Sequence, residues 1–160
     1  MALENWIDKI ADLWSAIETH EAGTLRSYKL ATSADFPESI SAPCVMTYPT
    51  EMSLTYSIGG PLFEHWIGQS DFYLFDNVSK VNLPMLVPYF ARIRNVAIAS
   101  ITLSSTVVNF SIGSDNTGRP TIQGPVSLQY GDNDNPHHGL VVNWFVKEDI
   151  SNESGVSPSA

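Results

Sequence analysis

The sequence is short of the residues that carry covalent cross-links and nucleic-acid affinity. Its one cysteine, Cys44, makes an internal disulfide impossible. A lone thiol fits a reducing compartment or an indifferent structural role. Basic residues are scarce: 8 Lys and Arg stand against 17 Asp and Glu, for a net charge of −9. That argues against a duplex-DNA reader, whose affinity rests on Lys and Arg neutralising phosphate. No long apolar run is present. The richest, Val96 to Leu103, falls far short of the roughly 20 residues a membrane helix needs. Met1 is followed by Ala-Leu-Glu-Asn, without the basic region and apolar core of a signal peptide, so a soluble product of the cytoplasm is expected. Two glycosylation sequons, Asn77-Val-Ser79 and Asn152-Glu-Ser154, therefore lack the secretion signal that would give them meaning. There is no Gly-x-Ser-x-Gly elbow, phosphate-binding glycine loop, cysteine pair or internal repeat.

What is present is one domain's worth of strand and helix patterning. A chain of 160 residues can bury about 70% of the surface it exposes when unfolded, enough for a core without disulfides. The chain divides into a single α+β domain over 1–149 and a Ser-rich, flexible C-terminal tail over 150–160. Glu4 to Thr19 reads as an amphipathic helix. Trp6, Ile7, Ile10, Leu13, Trp14 and Ile17 form its apolar stripe, and Gly23 is its stop. Leu25 to Leu30 fits a short strand.

The stretch from Ala42 to Asp76 organises the rest. Cys44 to Tyr48 reads as a strand ended by Pro49. Met52, Leu54, Tyr56 and Ile58 alternate with polar residues as a second, half-buried strand, which Gly59-Gly60-Pro61 breaks. His65 to Phe75 reads as a third. Trp66, Gly68, Ser70, Phe72 and Leu74 share one face; His65, Ile67, Gln69, Asp71, Tyr73 and Phe75 share the other. Aromatics on both faces imply cover on both, from a helix on one side and another layer or subunit on the other.

A second helix is expected over Asn82 to Arg94, capped by Asn82 with Pro84 in its first turn. Met85, Leu86, Tyr89, Phe90 and Ile93 would make its stripe, and Arg92 and Arg94 its last turn. Val96 to Leu103 fits either a helix tail or a strand. Val107 to Ile112, Val126 to Tyr130 and Leu140 to Lys147 read as strands, the last two joined across the polar turn Gly131 to Gly139. The fold class is thus α+β: a mixed, mostly antiparallel sheet of about five strands packed with two helices.

No catalytic, cofactor-binding or metal-ligating set emerges. Asp132-Asn-Asp-Asn-Pro-His-His departs from a calcium loop, with Pro136, His137 and Asn143 where the fifth-position oxygen ligand, the glycine and the final glutamate belong. His137 and His138 would need metal partners from elsewhere. Cys44, inside an apolar strand, is expected to be buried and inert.

The order of helix, three strands, helix and closing strands resembles the tail terminator proteins of long-tailed bacteriophages. The amphipathic opening helix, the Ala42-Pro-Cys-Val-Met-Thr-Tyr strand entry, the hairpin from Met52 to Phe75, the Asn82 to Arg94 helix and the closing strand Leu140 to Lys147 carry this resemblance. It implies a non-enzymatic structural protein forming a hexameric ring in the tail-neck region of the virion, made in the host cytoplasm. Its partners would be the tail tube protein on one side and a head-completion (stopper) protein on the other. DNA would pass through the lumen without specific binding. His65, Trp66, Phe72, Tyr73 and Phe75 become the interface residues to expect, and a charge at Trp66 or Phe72 should impair assembly more than folding. Another neck or tail-tube component, or a ligand-binding or enzymatic domain with a pocket between the sheet and the second helix, is the competing reading.

Overall fold

The computed structural model describes residues 3–28, 37–56, 60, 62–100, 103, 109–113, 121–131 and 135–150. These residues form an α+β fold in which two helices pack on one face of a six-stranded mixed sheet. The order along the chain is α1 (Leu3–Trp14), β1 (Arg26–Tyr28), β2 (Cys44–Tyr56), β3 (Leu62–Phe75), a 3-10 turn (Lys80–Asn82), α2 (Leu83–Ile98), β4 (Asn109–Ile112), β5 (Ile122–Leu128) and β6 (His137–Asp149). In space the order is β1-β2-β3-β6-β4, and β5 also pairs with β6. β4 lies against Trp144 to Lys147 and β5 against His137 to Val142, so the two run end to end along the edge of β6 that β3 does not use. Only β1 with β2 is parallel.

The central stretch holds two strands rather than three. Cys44 to Tyr56 is one continuous strand, and Pro49 sits within it, just before a bulge at Pro49/Glu51. Proline is tolerated there because β2 is an outer strand at that point. β1 reaches only Cys44 to Met46, so a missing donor on the outer side costs no ladder bond. The two faces of β3 alternate as the sequence predicts as far as Tyr73. A second bulge, between Tyr73 and Phe75, then shifts the phase, and Phe75 packs against the main core instead of sharing a face with Tyr73.

α1 stops at Trp14, short of Thr19. Ser15, Ala16 and Ile17 donate to carbonyls three residues back, tightening the last turn, and the Ser15 hydroxyl also bonds Asp12 O. The chain then turns through 18–24, with Ala22 at φ 60° as the left-handed residue and a bridge from Glu18 to Thr24. α2 begins where its pattern predicts, with Asn82 at the N-cap position and Pro84 in the first turn, but ends later, at Ile98. Ser79, not Asn82, supplies the N-terminal side-chain acceptor, to Val81 N–H at 3.3 Å. Asn82 is buried instead, donating to Asn77 O at 2.9 Å. Because α2 runs to Ile98, Arg92 and Arg94 lie before its last turn. Its buried stripe is Leu86, Tyr89, Ile93 and Ala97, and Met85 points out. Val96 to Ile98 is thus helix. Ile150, assigned to the tail from sequence, is buried and donates its N–H to Leu62 O. The rest of the tail, most of the Gly59-Gly60-Pro61 turn and residues 114–118 lie outside the described residues.

The core is built where α1 meets the β3–β6 pair. Trp6 lies 5.6 Å from both the Trp66 and Trp144 rings, edge-on to the latter. Trp14 sits edge-on to Phe72 at 5.4 Å and donates its indole N–H to Ser70 Oγ at 2.9 Å. Ser70 in turn shares a hydrogen bond with Thr47 at 2.9 Å, so this polar column under the helix is satisfied. Gly68 makes room for it. A Cβ there would collide with the Trp144 ring and come within 2.6 Å of Tyr48 O. Gly68→Ala should therefore cost about 1–3 kcal/mol in urea unfolding. A Trp144→Leu change in the same chain should make the two costs clearly sub-additive. Strictly additive costs would show that the ring is not the obstacle.

Candidate functional site

The sheet's second face, away from the helices, is where titratable side chains gather. Its lower half is covered by the chain itself. Cys44, Met46 and Tyr73 form a small buried cluster ringed by Tyr28, Ile40, Leu128 and Tyr130, and the Tyr130 hydroxyl donates to Pro37 O. This local cover, rather than another subunit, accounts for the aromatic on that side of β3. Cys44 is fully buried, and burial pushes its thiol up to about 12, so it is held as an unreactive thiol.

Above that cluster lies a polar group shared by β2 and β3. Tyr48 pairs in register with Gln69, and Gln69 with Asn143 on β6. Tyr48 Oη donates to Asp71 Oδ2 at 2.7 Å. Gln69 Nε2 donates to Asp71 Oδ1 at 2.9 Å and to Tyr48 Oη at 2.6 Å. Asp71 is 6% exposed. Burial raises its carboxyl above the usual range, and the bonds from Tyr48 and Gln69 offset only part of that. Burial, then the bond to Asp71, likewise raises the Tyr48 phenol. Farther along the same face the surface is half-buried: His65 lies 6.1 Å from the Phe145 ring, and Lys147 Nζ lies 4.2 Å over Phe63.

The five residues expected at an interface separate. Phe72 is fully buried under Trp14, and Tyr73 is 5% exposed between Tyr130 and His137. Trp66 packs on Trp6 and donates to Glu64 Oε2 at 2.7 Å. Phe75 is half-buried and stacks on His20 at 4.3 Å. Only His65 lies on the uncovered part of the second face. The aromatic surface of β3 is thus mostly consumed within the subunit: α1 supplies the helix cover expected on one face, and the segment around Tyr130 covers part of the other.

The histidines are structural neighbours of turns. His20 gives its backbone N–H to Tyr89 Oη at 3.0 Å, and its Nδ1 lies 2.7 Å from the same oxygen. This ties the turn after α1 to α2, and Arg92 reinforces it by donating to Glu18 O at 3.0 Å. His137 and His138 open β6 rather than sitting in a polar loop. His137 Nε2 is 3.4 Å from Asp76 Oδ1, and His138 Nδ1 is 3.3 Å from Asn82 Nδ2. No group of three metal-ligating side chains comes together among the described residues. Among the described residues, cavities open to solvent include two of note. One of about 310 Å³ is lined by Lys9, Asp12, Leu13, Ala16, Ser100 and Leu103; one of about 390 Å³ is lined by Asp76, Asn77, Val78, Ser127, Asn135 and Pro136. The space between the sheet and α2, where a ligand pocket was the alternative expectation, is packed by Leu86, Tyr89 and Ile93.

The largest unabsorbed feature is apolar and lies outside the face just described. Val78, Val81, Leu83, Met85, Val87 and Ile98 are 39–74% exposed, on α2 and the turn before it, and Met52 and Leu54 are about half exposed on the outer half of β2. Several of these share α2 and its lead-in turn, which makes that helix a candidate interaction surface. Sequence periodicity missed it because α2 is apolar on both sides, which blurs a single stripe. No protein-family model matches the chain, and no curated protein matches it in sequence. Among the described residues no helix is long and apolar enough to cross a membrane.

Two outcomes follow from this geometry. A raised carboxyl stabilises the fold most below its unfolded value of 3.8 and loses that contribution as pH rises through the folded value. The stability of the wild type relative to Asp71→Asn should therefore increase as pH falls from neutral towards 4. A pH-independent difference in urea midpoints would refute the assignment. Separately, Phe72→Asp should leave no cooperative unfolding transition, whereas His65→Asp should fold with a melting temperature within a few degrees of the wild type.

Proposed function

We propose that the chain is a structural assembly subunit, a ring-forming tail terminator of the long-tailed phage kind. In that role a hexamer caps the tail tube and joins it to the head-completion protein, and DNA passes through its lumen without specific binding. The observation that carries this reading is the concentration of exposed apolar side chains on α2, its lead-in turn and the outer half of β2. A surface of that kind is built to be covered by protein. Three further features support it. The α+β architecture agrees with the one the resemblance implies. The charge of −9 suits a wall that DNA must slide past without sticking. Cys44 is buried rather than poised for chemistry.

The Asp71 cluster is what favours a ligand-binding reading instead. A small molecule bound stoichiometrically by the wild type and lost in Asp71→Asn would support that alternative.

The ring reading is tested by mass. Light scattering on the purified chain, alone and mixed with a tail-tube preparation, should show a species of about six times the 17.6 kDa chain mass, and electron micrographs should show rings stacked on tube ends. A chain that stays monomeric in both conditions sinks it.

A further inference from the structure

The exposed large hydrophobics of the described residues form two groups of different chemistry. The first lies on the turn before α2 and along that helix: Val78, Val81, Leu83, Met85, Val87 and Ile98. Val87 and Ile98 are three helical turns apart, so with Leu83 they fall on one outward line. A helix that is apolar outward as well as inward is one that is covered on both sides. The second group is Met52 and Leu54, on the outer half of β2. They pair in register with Trp66 and Glu64, on the face α1 occupies, yet stay about half exposed. From Thr47 onward the outer edge of β2 has no strand partner among the described residues.

The two groups do not cover each other within one chain, since both stay exposed. Met52 sits beside Trp66 near the start of β3, and the first group begins just past Phe75 at its end. Nine residues of extended strand put about 30 Å along the sheet between Met52 and the start of the first group. Their charges are also opposite. From Leu30 to Ser79 the chain has no Lys or Arg, and the exposed Glu51 and half-exposed Glu64 flank Met52 and Leu54. From Asn77 to Ser114 it has no Asp or Glu, and Lys80 and Arg94 are exposed. Two acidic arms repel each other, whereas an acidic arm on a basic, apolar helix is attracted.

We infer that the β2 arm of one copy, through Met52 and Leu54, seats on the outward face of α2 of the next copy, with Glu64, which pairs with Leu54 on the same face, directed towards Lys80 and Arg94. The contact is head-to-tail. Each copy offers one arm and one helix face, and repetition closes a ring when the rotation between copies allows it. The inference rests on the ring reading and names the contact that builds the ring.

The test uses two full-length variants, Leu54→Glu and Val87→Glu, both at exposed positions, with circular dichroism to confirm that each keeps the wild-type melting temperature to within a few degrees. Each variant alone should run at the mass of one chain, with association weakened at least tenfold. An equimolar mixture should give a two-chain species and nothing larger, because the intact helix face of one variant still receives the intact arm of the other. A wild type that forms rings while either variant also forms them overturns the arm contact and leaves the ring reading standing. A mixture with no two-chain species overturns it too. A wild type that is a single chain under all conditions overturns both.

Discussion

The seating of two tryptophans from α1 on the β3–β6 pair is the constraint on which the rest depends. Trp6 needs Trp66 and Trp144 on either side, and Trp144 in turn needs a residue without a side chain at Gly68. Trp14 needs an acceptor under its indole, which Ser70 supplies with Thr47 behind it. These requirements fix the register of three strands at once. A one-residue slip of β3 would bring Ile67 or Gln69 to the position Gly68 occupies and move Ser70 to the wrong face. Truncating a buried tryptophan of this kind typically costs about 3–5 kcal/mol, a large share of a domain's net stability.

Much of this was legible from periodicity. The α1 stripe, the alternation of β3 as far as Tyr73 and the inward set Leu140, Val142, Trp144 and Val146 all fall where the pattern puts them. The departures have local physical causes. Pro49 signals a strand end, but on an outer strand its missing donor costs nothing. The bulge before Phe75 adds one residue, which no period-2 count can foresee. α2 carries apolar residues on two sides, so Met85 was placed inward when only Leu86, Tyr89, Ile93 and Ala97 are buried. Asn82 stands at the N-cap position as its residue type suggests, yet its side chain makes no capping bond and its amide is used inside, on Asn77 O.

The candidate sites were less legible than the fold, for a different reason. Tyr48, Gln69 and Asp71 come together through strand pairing, and pairing between strands is invisible along one dimension. The interface residues suffered the opposite error. One face of β3 was expected under a helix, as α1 provides, and the other under a further layer or subunit; sequence cannot show that a residue as distant as Tyr130 returns to cover part of it. What stays exposed is aliphatic and sits on α2 and the β2 arm, segments whose patterns looked ordinary.

β6 occupies the middle of the sheet yet is the last strand to be made. β3, β4 and β5 all pair with it, and among the described residues β4 and β5 have no other strand partner. Until residues 137–149 leave the ribosome, β4 and β5 have nothing to bond to and Trp6 lacks half its seat. Completing the sheet therefore waits for β6 and must then close the long loop between β3 and β6. Such non-local pairing slows folding relative to local contacts, and β3 is an open aromatic edge until β6 pairs with it. During that interval the nascent chain depends on chaperones, or on speed, to avoid pairing with the wrong strand.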